Sequence, residues 1–128
     1  MTDLEAVTDW VSGYVRAWNS NDPAEIGGLF AEDAAYYPAP FEEPWRGRET
    51  IVKQWLARRD QPGETTFTWH PVTVGPELSV VQGVTVYPKR VYSNLWLIRL
   101  DTVGQCREFT EWWMQQPAPA LSRQRGRR

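Results

Sequence analysis

Residues 92–100 read YSNLWLIRL, residues 101–104 DTVG, and residues 105–114 QCREFTEWWM. Two strand-like runs flank a turn that contains glycine, and alternation sorts their side chains between two faces. Tyr92, Asn94, Trp96, Ile98 and Leu100 share one face of the first run. In the second run Arg107, Phe109, Glu111 and Trp113 share a face, and Glu108, Thr110, Trp112 and Met114 share the other. One wall therefore combines bulky aromatics with a carboxylate, Glu111, and an amide, Asn94. Core filling needs neither, because a polar group costs free energy in an apolar interior unless it is hydrogen-bonded. The pattern points to a small-molecule pocket without naming the ligand.

Upstream of this pair, Thr66–Val74 and Leu78–Tyr87 also alternate, and Pro88-Lys89-Arg90 forms the turn into the Tyr92 run. Before Thr65 the period is helical. Thr2 or Asp3 can cap a first helix whose apolar stripe is Val7, Trp10, Val11, Tyr14, Val15 and Trp18, ending at Asn19–Asn21. Asp22 then caps a second helix with Pro23 at its first position, expected to run through Ile26, Leu29 and Phe30 to Ala35. An extended segment starts at Tyr36–Tyr37. PAPFEEPWRG, residues 38–47, reads as a loop that covers a cleft, and Glu49–Arg59 as a third helix with Ile51, Val52, Trp55 and Leu56 inward. Helices followed by an antiparallel meander argue an α+β fold with the helices on one face. Residues 1–115 are read as one domain and residues 116–128 as a disordered basic tail.

Composition narrows the function. The chain has 128 residues and eight Trp, a high count that suits a gripped flat apolar ligand or a Trp-rich interface. The last six residues, RQRGRR, hold four of the fourteen basic side chains, leaving ten against sixteen acidic ones before them. That acidic body offers no broad basic surface for nucleic acid. The single cysteine, Cys106, excludes an intramolecular disulfide. The N-terminal MTDLEAV lacks the regions of a signal peptide and no run is long enough to span a bilayer, so a cytoplasmic protein away from membranes is expected. One His and one Cys without clustered carboxylates argue against a dedicated zinc site. His70 is followed by Pro71 and has no evident orienting partner, which disfavours it as a base. No phosphate-binding glycine loop and no nucleophile elbow is present.

Three segments carry a family likeness: YVRAWNSNDPAEIGGLFAEDA at 14–34, WRGRETI at 45–51 and GQCREFTEWWM at 104–114. They resemble the superfamily of nuclear transport factor 2, ketosteroid isomerase and SnoaL-like proteins, from about Leu4 to Met114. The resemblance implies a cone-shaped curved antiparallel sheet wrapped by three N-terminal helices. It also implies a homodimer through the outer sheet face, with Glu108, Thr110 and Trp112 toward the partner and Phe109, Glu111 and Trp113 inside the cone. Tyr14 matches the hydrogen-bond-donating Tyr of ketosteroid isomerases. Their general base falls on Pro38 and their second acidic donor near Trp96, so two of three parts are missing and steroid isomerisation is disfavoured. Trp55 falls where those enzymes carry a pocket Tyr. Glu111 matches the last-strand carboxylate of limonene-type epoxide hydrolases, whose Arg and second Asp have no counterpart in TVYPKRV. SnoaL-like cyclases also depend on a pocket acid/base residue, for which Glu111 is the well-placed candidate. Asp33 matches the LFA-x-D pattern, where the residue most often serves backbone hydrogen bonds.

The expectation is a small-molecule pocket of the SnoaL-like type working without a cofactor. Glu111 would be the acid/base group, its pKa raised by an aromatic surrounding. Tyr14 and Asn94 would orient the ligand, and Trp18, Tyr37, Trp45, Trp55, Trp69, Trp96, Phe109 and Trp113 would wall it. A cyclase, an isomerase or a hydrolase acting on an apolar or aromatic molecule fits these residues. A binding module without turnover, or a structural dimer whose cone is filled by its own tryptophans, remains open.

Overall fold

A computed structural model describes residues 1–117. Helix α1 (Asp3–Ser20) is followed by α2 (Pro23–Gly28), β1 (Phe30–Tyr37), β2 (Trp45–Arg46) and α3 (Arg48–Ala57). Four longer strands complete the fold: β3 (Thr66–Thr73), β4 (Ser79–Val86), β5 (Val91–Leu100) and β6 (Cys106–Gln115). They join one curved, open six-stranded sheet in the order β2-β1-β6-β5-β4-β3. The domain is α+β, with the helices preceding the long meander.

The first helix starts as its sequence dictates. Thr2 and Glu5 form a reciprocal capping box, satisfying donors that the first turn leaves unpaired. Asn21 ends the helix in the left-handed conformation at φ 53°, which Asn tolerates better than most residues. Asp22 caps α2 through Ala24 N–H, with Pro23 behind it. The α1 stripe of Val7, Trp10, Val11, Tyr14 and Ala17 buries against Phe30, Trp96, Ile98 and Phe109. Trp10 also donates its Nε1 to the Leu29 carbonyl at 2.8 Å, tying α1 to the entry of β1.

Four expectations need correction. Residues 30–35 form strand rather than the end of the second helix. FAEDAA contains no helix breaker, but pairing with β6 gives its backbone partners that a short terminal helical turn would not. That pairing is parallel, so the sheet is mixed rather than wholly antiparallel. The 38–47 segment is not all loop, because Trp45–Arg46 pairs with Ala35–Tyr36 as β2. Finally, α3 closes at Ala57, which frees Arg58 and Arg59 from the helix. The tail expected from residue 116 lies, from 118 onward, outside the described residues.

Gly83 on β4 marks a close approach to the neighbouring strand β3. A Cβ there would sit 2.5 Å from the Phe67 ring and 2.9 Å from the Thr68 carbonyl. Phe67 in turn stacks on Trp96 at 4.5 Å and 12°. Gly83→Ala is therefore expected to cost about 2–3 kcal/mol, as overpacked cores do. Gly28→Ala meets nothing within 4 Å and is the control. Thermal melts of the two variants check this, and equal midpoints would contradict it.

Candidate functional site

The site starts on the strand pair that the sequence singled out. In the β5–β6 register Asn94 lies opposite Trp113, and Trp96 opposite Glu111. Glu111 Oε2 accepts hydrogen bonds from Asn94 Nδ2 at 2.8 Å and Trp96 Nε1 at 3.2 Å. Thr85 Oγ1 donates to Asn94 Oδ1 at 2.7 Å, which fixes the orientation of the amide. Glu111 Oε1 has no protein donor among the described residues. Both donors to the carboxylate are neutral, so they offset desolvation only in part. Burial raises the Glu111 carboxyl to about 7, against the opposing pull of the Trp96 and Asn94 hydrogen bonds.

A second polar pair comes from the helix and the first strand. The Tyr14 and Tyr36 hydroxyls lie 2.7 Å apart in a buried hydrogen bond. Two hydroxyls hold two protons and the mutual bond uses one, leaving the other to donate elsewhere. Burial pushes both phenols above their ordinary range, and each feels the charge of Glu111. Both stay protonated at neutral pH. Tyr14 packs between Trp55 and Trp96 at 4.8 and 4.5 Å, and Tyr36 stacks on Trp45 at 4.5 Å and 14°.

A third polar group follows α3. Asp60 Oδ2 accepts from Trp18 Nε1 at 2.9 Å and from the Tyr87 hydroxyl at 3.1 Å. Burial, then the charge of Asp60, raises the Tyr87 phenol. Arg58, Arg59 and Arg90 complete the exposed side of the same cavity.

These groups enclose about 290 Å³, at the lower end of the range of small-molecule sites. Of the residues expected there, Tyr14, Trp18, Trp45, Trp55, Asn94, Trp96, Glu111 and Trp113 line the cavity. Tyr37 does not; its neighbour Tyr36 does, because the β1–β6 register sets Tyr36 beside Phe109 and turns Tyr37 away. Phe109 is fully buried beneath the lining, in contact with Tyr14, Tyr36 and Trp96, rather than on its surface. Trp69 lies on the edge strand β3, packed against the core and outside the cavity. His70 is exposed on that strand and does not line the cavity. Reading the chain alone missed Tyr36, Asp60, Tyr87 and the arginines. Among the described residues no group of three or more His, Cys, Asp or Glu is placed to hold a metal ion, and no helix is long and apolar enough to cross a membrane.

A curved sheet closed by helices around an aromatic, acid-containing cavity defines a class of small α+β domains. The SnoaL-like domain family model matches residues 11–115, and the chain belongs to that family. Solved structures share the fold. An NTF2-like protein of unknown function from Burkholderia xenovorans LB400 superposes with a TM-score of 0.72 at 15% identity, covering 95% of this chain and 94% of that one. A protein from Sphaerobacter thermophilus gives 0.69 at 20% identity over 85% and 96%. A ketosteroid isomerase-like protein from Erwinia carotovora atroseptica SCRI1043 gives 0.66 at 15% identity over 90% and 98%. At these identities the likeness carries the fold alone. No curated protein matches the sequence.

Proposed function

We propose that this SnoaL-like protein is a cofactor-independent acid/base enzyme acting on a small apolar or aromatic molecule. The observation that carries the reading is Glu111. It is a carboxyl group with a pKa near 7, fixed by Asn94 and Trp96, with one oxygen free at the wall of an aromatic cavity. A group poised near the working pH can both take and return a proton. The free hydroxyl proton of the Tyr14–Tyr36 pair is suited to stabilise negative charge that develops on a bound oxygen. Asn94 acts as a positioning residue, since it holds the carboxylate. These groups support proton transfer within one substrate, as in isomerisation or cyclisation, or activation of a water for hydrolysis. Trp112 and Met114, 48% and 70% exposed on the outer sheet face, support a homodimer through that face.

The test is a titration of intrinsic Trp fluorescence with steroids, polyketide-like aromatics and terpene epoxides, followed by product analysis of every ligand that binds. Saturable quenching is expected. Glu111→Gln should keep the dissociation constant within about twofold while lowering turnover by about a hundredfold or more. Binding without turnover in either protein would leave a binding module. A flat response throughout would leave a dimer whose cone its own tryptophans fill.

A further inference from the structure

Two arginines at the cavity mouth, Arg58 and Arg90, have no ion-pair partner among the described residues. Arg58 follows α3, where a basic side chain commonly answers the negative end of the helix dipole. Arg59 does that, donating Nη1 to the Leu56 carbonyl at 2.9 Å. Arg58 instead lays its guanidinium over the Trp45 ring at 5.2 Å, close enough to Tyr36 to oppose the rise in its pKa. Arg90 comes from the β4–β5 turn and lies over Tyr87 at 4.5 Å and Tyr92 at 5.8 Å. Its turn neighbour Lys89 is also exposed yet takes no part in the cavity wall.

A guanidinium held over an aromatic face by cation–π attraction keeps N–H donors available to an incoming anion. Among the described residues neither Arg58 nor Arg90 is ion-paired: the salt bridges are Arg99–Glu108 and Arg107–Glu77, both elsewhere. The placement is also selective. Residues 1–122 hold ten basic against sixteen acidic side chains, yet three of the ten line this one cavity. The carboxylates that share it, Asp60 and Glu111, already accept hydrogen bonds from Trp18, Tyr87, Asn94 and Trp96.

We infer that the ligand is a flat apolar molecule carrying an anionic group, a carboxylate in the simplest case. Arg58 and Arg90 hold the anion at the mouth while the ring enters among the tryptophans. The charge pattern also sets polarity. An anion is attracted by the guanidinium groups of Arg58 and Arg90 and repelled by Glu111 whenever that group is ionised, so the uncharged end of the molecule reaches Glu111. A planar carboxylate suits the two-pronged guanidinium donor. This inference rests on the proposed ligand pocket and narrows its substrate class.

The probes are naphthoate and its uncharged isostere naphthamide, titrated by Trp fluorescence against the full chain at low salt. Naphthoate is expected to bind about tenfold more tightly, a preference that high salt erases. Arg58→Gln combined with Arg90→Gln should abolish the preference and leave naphthamide within about twofold. Lys89→Gln should change neither, and thermal melts establish that each variant is folded. Equal binding of the two probes to the wild type would overturn the inference and leave the pocket standing. An equal loss for both probes in the double variant, or a loss in Lys89→Gln that matches it, would also overturn it. Failure of both probes to bind folded wild-type protein would sink the pocket and the inference together.

Discussion

Glu111→Gln is expected to make the protein clearly more stable at pH 8, by a margin that shrinks to less than about 1 kcal/mol at pH 5. The folded state holds the Glu111 proton to about 7, whereas an unfolded chain releases it near 4.5. Between these values the folded state binds more protons than the unfolded one, so stability falls as pH rises through the window. The deficit is absent below the lower value and complete above the upper one. A displacement of this size corresponds to about 2–3 kcal/mol after allowance for partial exposure of the site. Gln has nearly the same shape, retains an acceptor for Asn94 or Trp96 and carries no charge to desolvate. The variant's midpoint should therefore rise by several degrees at pH 8, with the two curves converging toward pH 5. Thermal melts across pH 5 to 8 read this directly, and a Gln variant less stable at both ends would contradict it. A buried group that weakens the fold while it performs a reaction is the trade expected at an active site.

The second large effect belongs to Phe109. Its side chain is fully buried, with ring centroids 4.8 Å from Tyr36, 5.3 Å from Trp96 and 5.6 Å from both Trp10 and Tyr14. It is the underside of the cavity lining. Phe109→Ala removes the transfer energy of a phenyl ring and leaves a void beneath the Tyr14–Tyr36 pair, a loss of about 3–5 kcal/mol. Single domains are stable by only about 5–15 kcal/mol, so the midpoint should fall by at least about ten degrees. Phe109→Leu should recover more than half of the loss. Chemical denaturation of both variants measures this, and an alanine variant within about 1 kcal/mol of wild type would refute the packing described.

The parts of the fold legible in the chain were those with a clean period. Alternation in 92–100 and 105–114 placed Asn94, Trp96 and Glu111 on one wall, and the α1 stripe placed Tyr14 against it. The entry to β1 was not legible. Phe30 to Ala35 has ordinary helix-compatible residues, and its strand state comes from a parallel partner some seventy residues away in sequence. The same ignorance of register exchanged Tyr37 for Tyr36, since one residue decides which face a strand side chain takes. Trp69 alternated correctly but sat on an edge strand, and period does not reveal which strand is at the edge. Asp60, Tyr87, Arg58 and Arg90 lie at element ends and in turns, where no periodicity applies. The cavity brings them together through topology.

The most direct measurement is the titration of Glu111 itself, by carbon NMR of protein labelled at the glutamate side-chain carboxyl. One resonance should titrate with a midpoint near 7 and disappear in Glu111→Gln. If no glutamate resonance has a midpoint near 7, Glu111 is solvated and ionised at neutral pH. The acid/base role built on its desolvation would then be wrong.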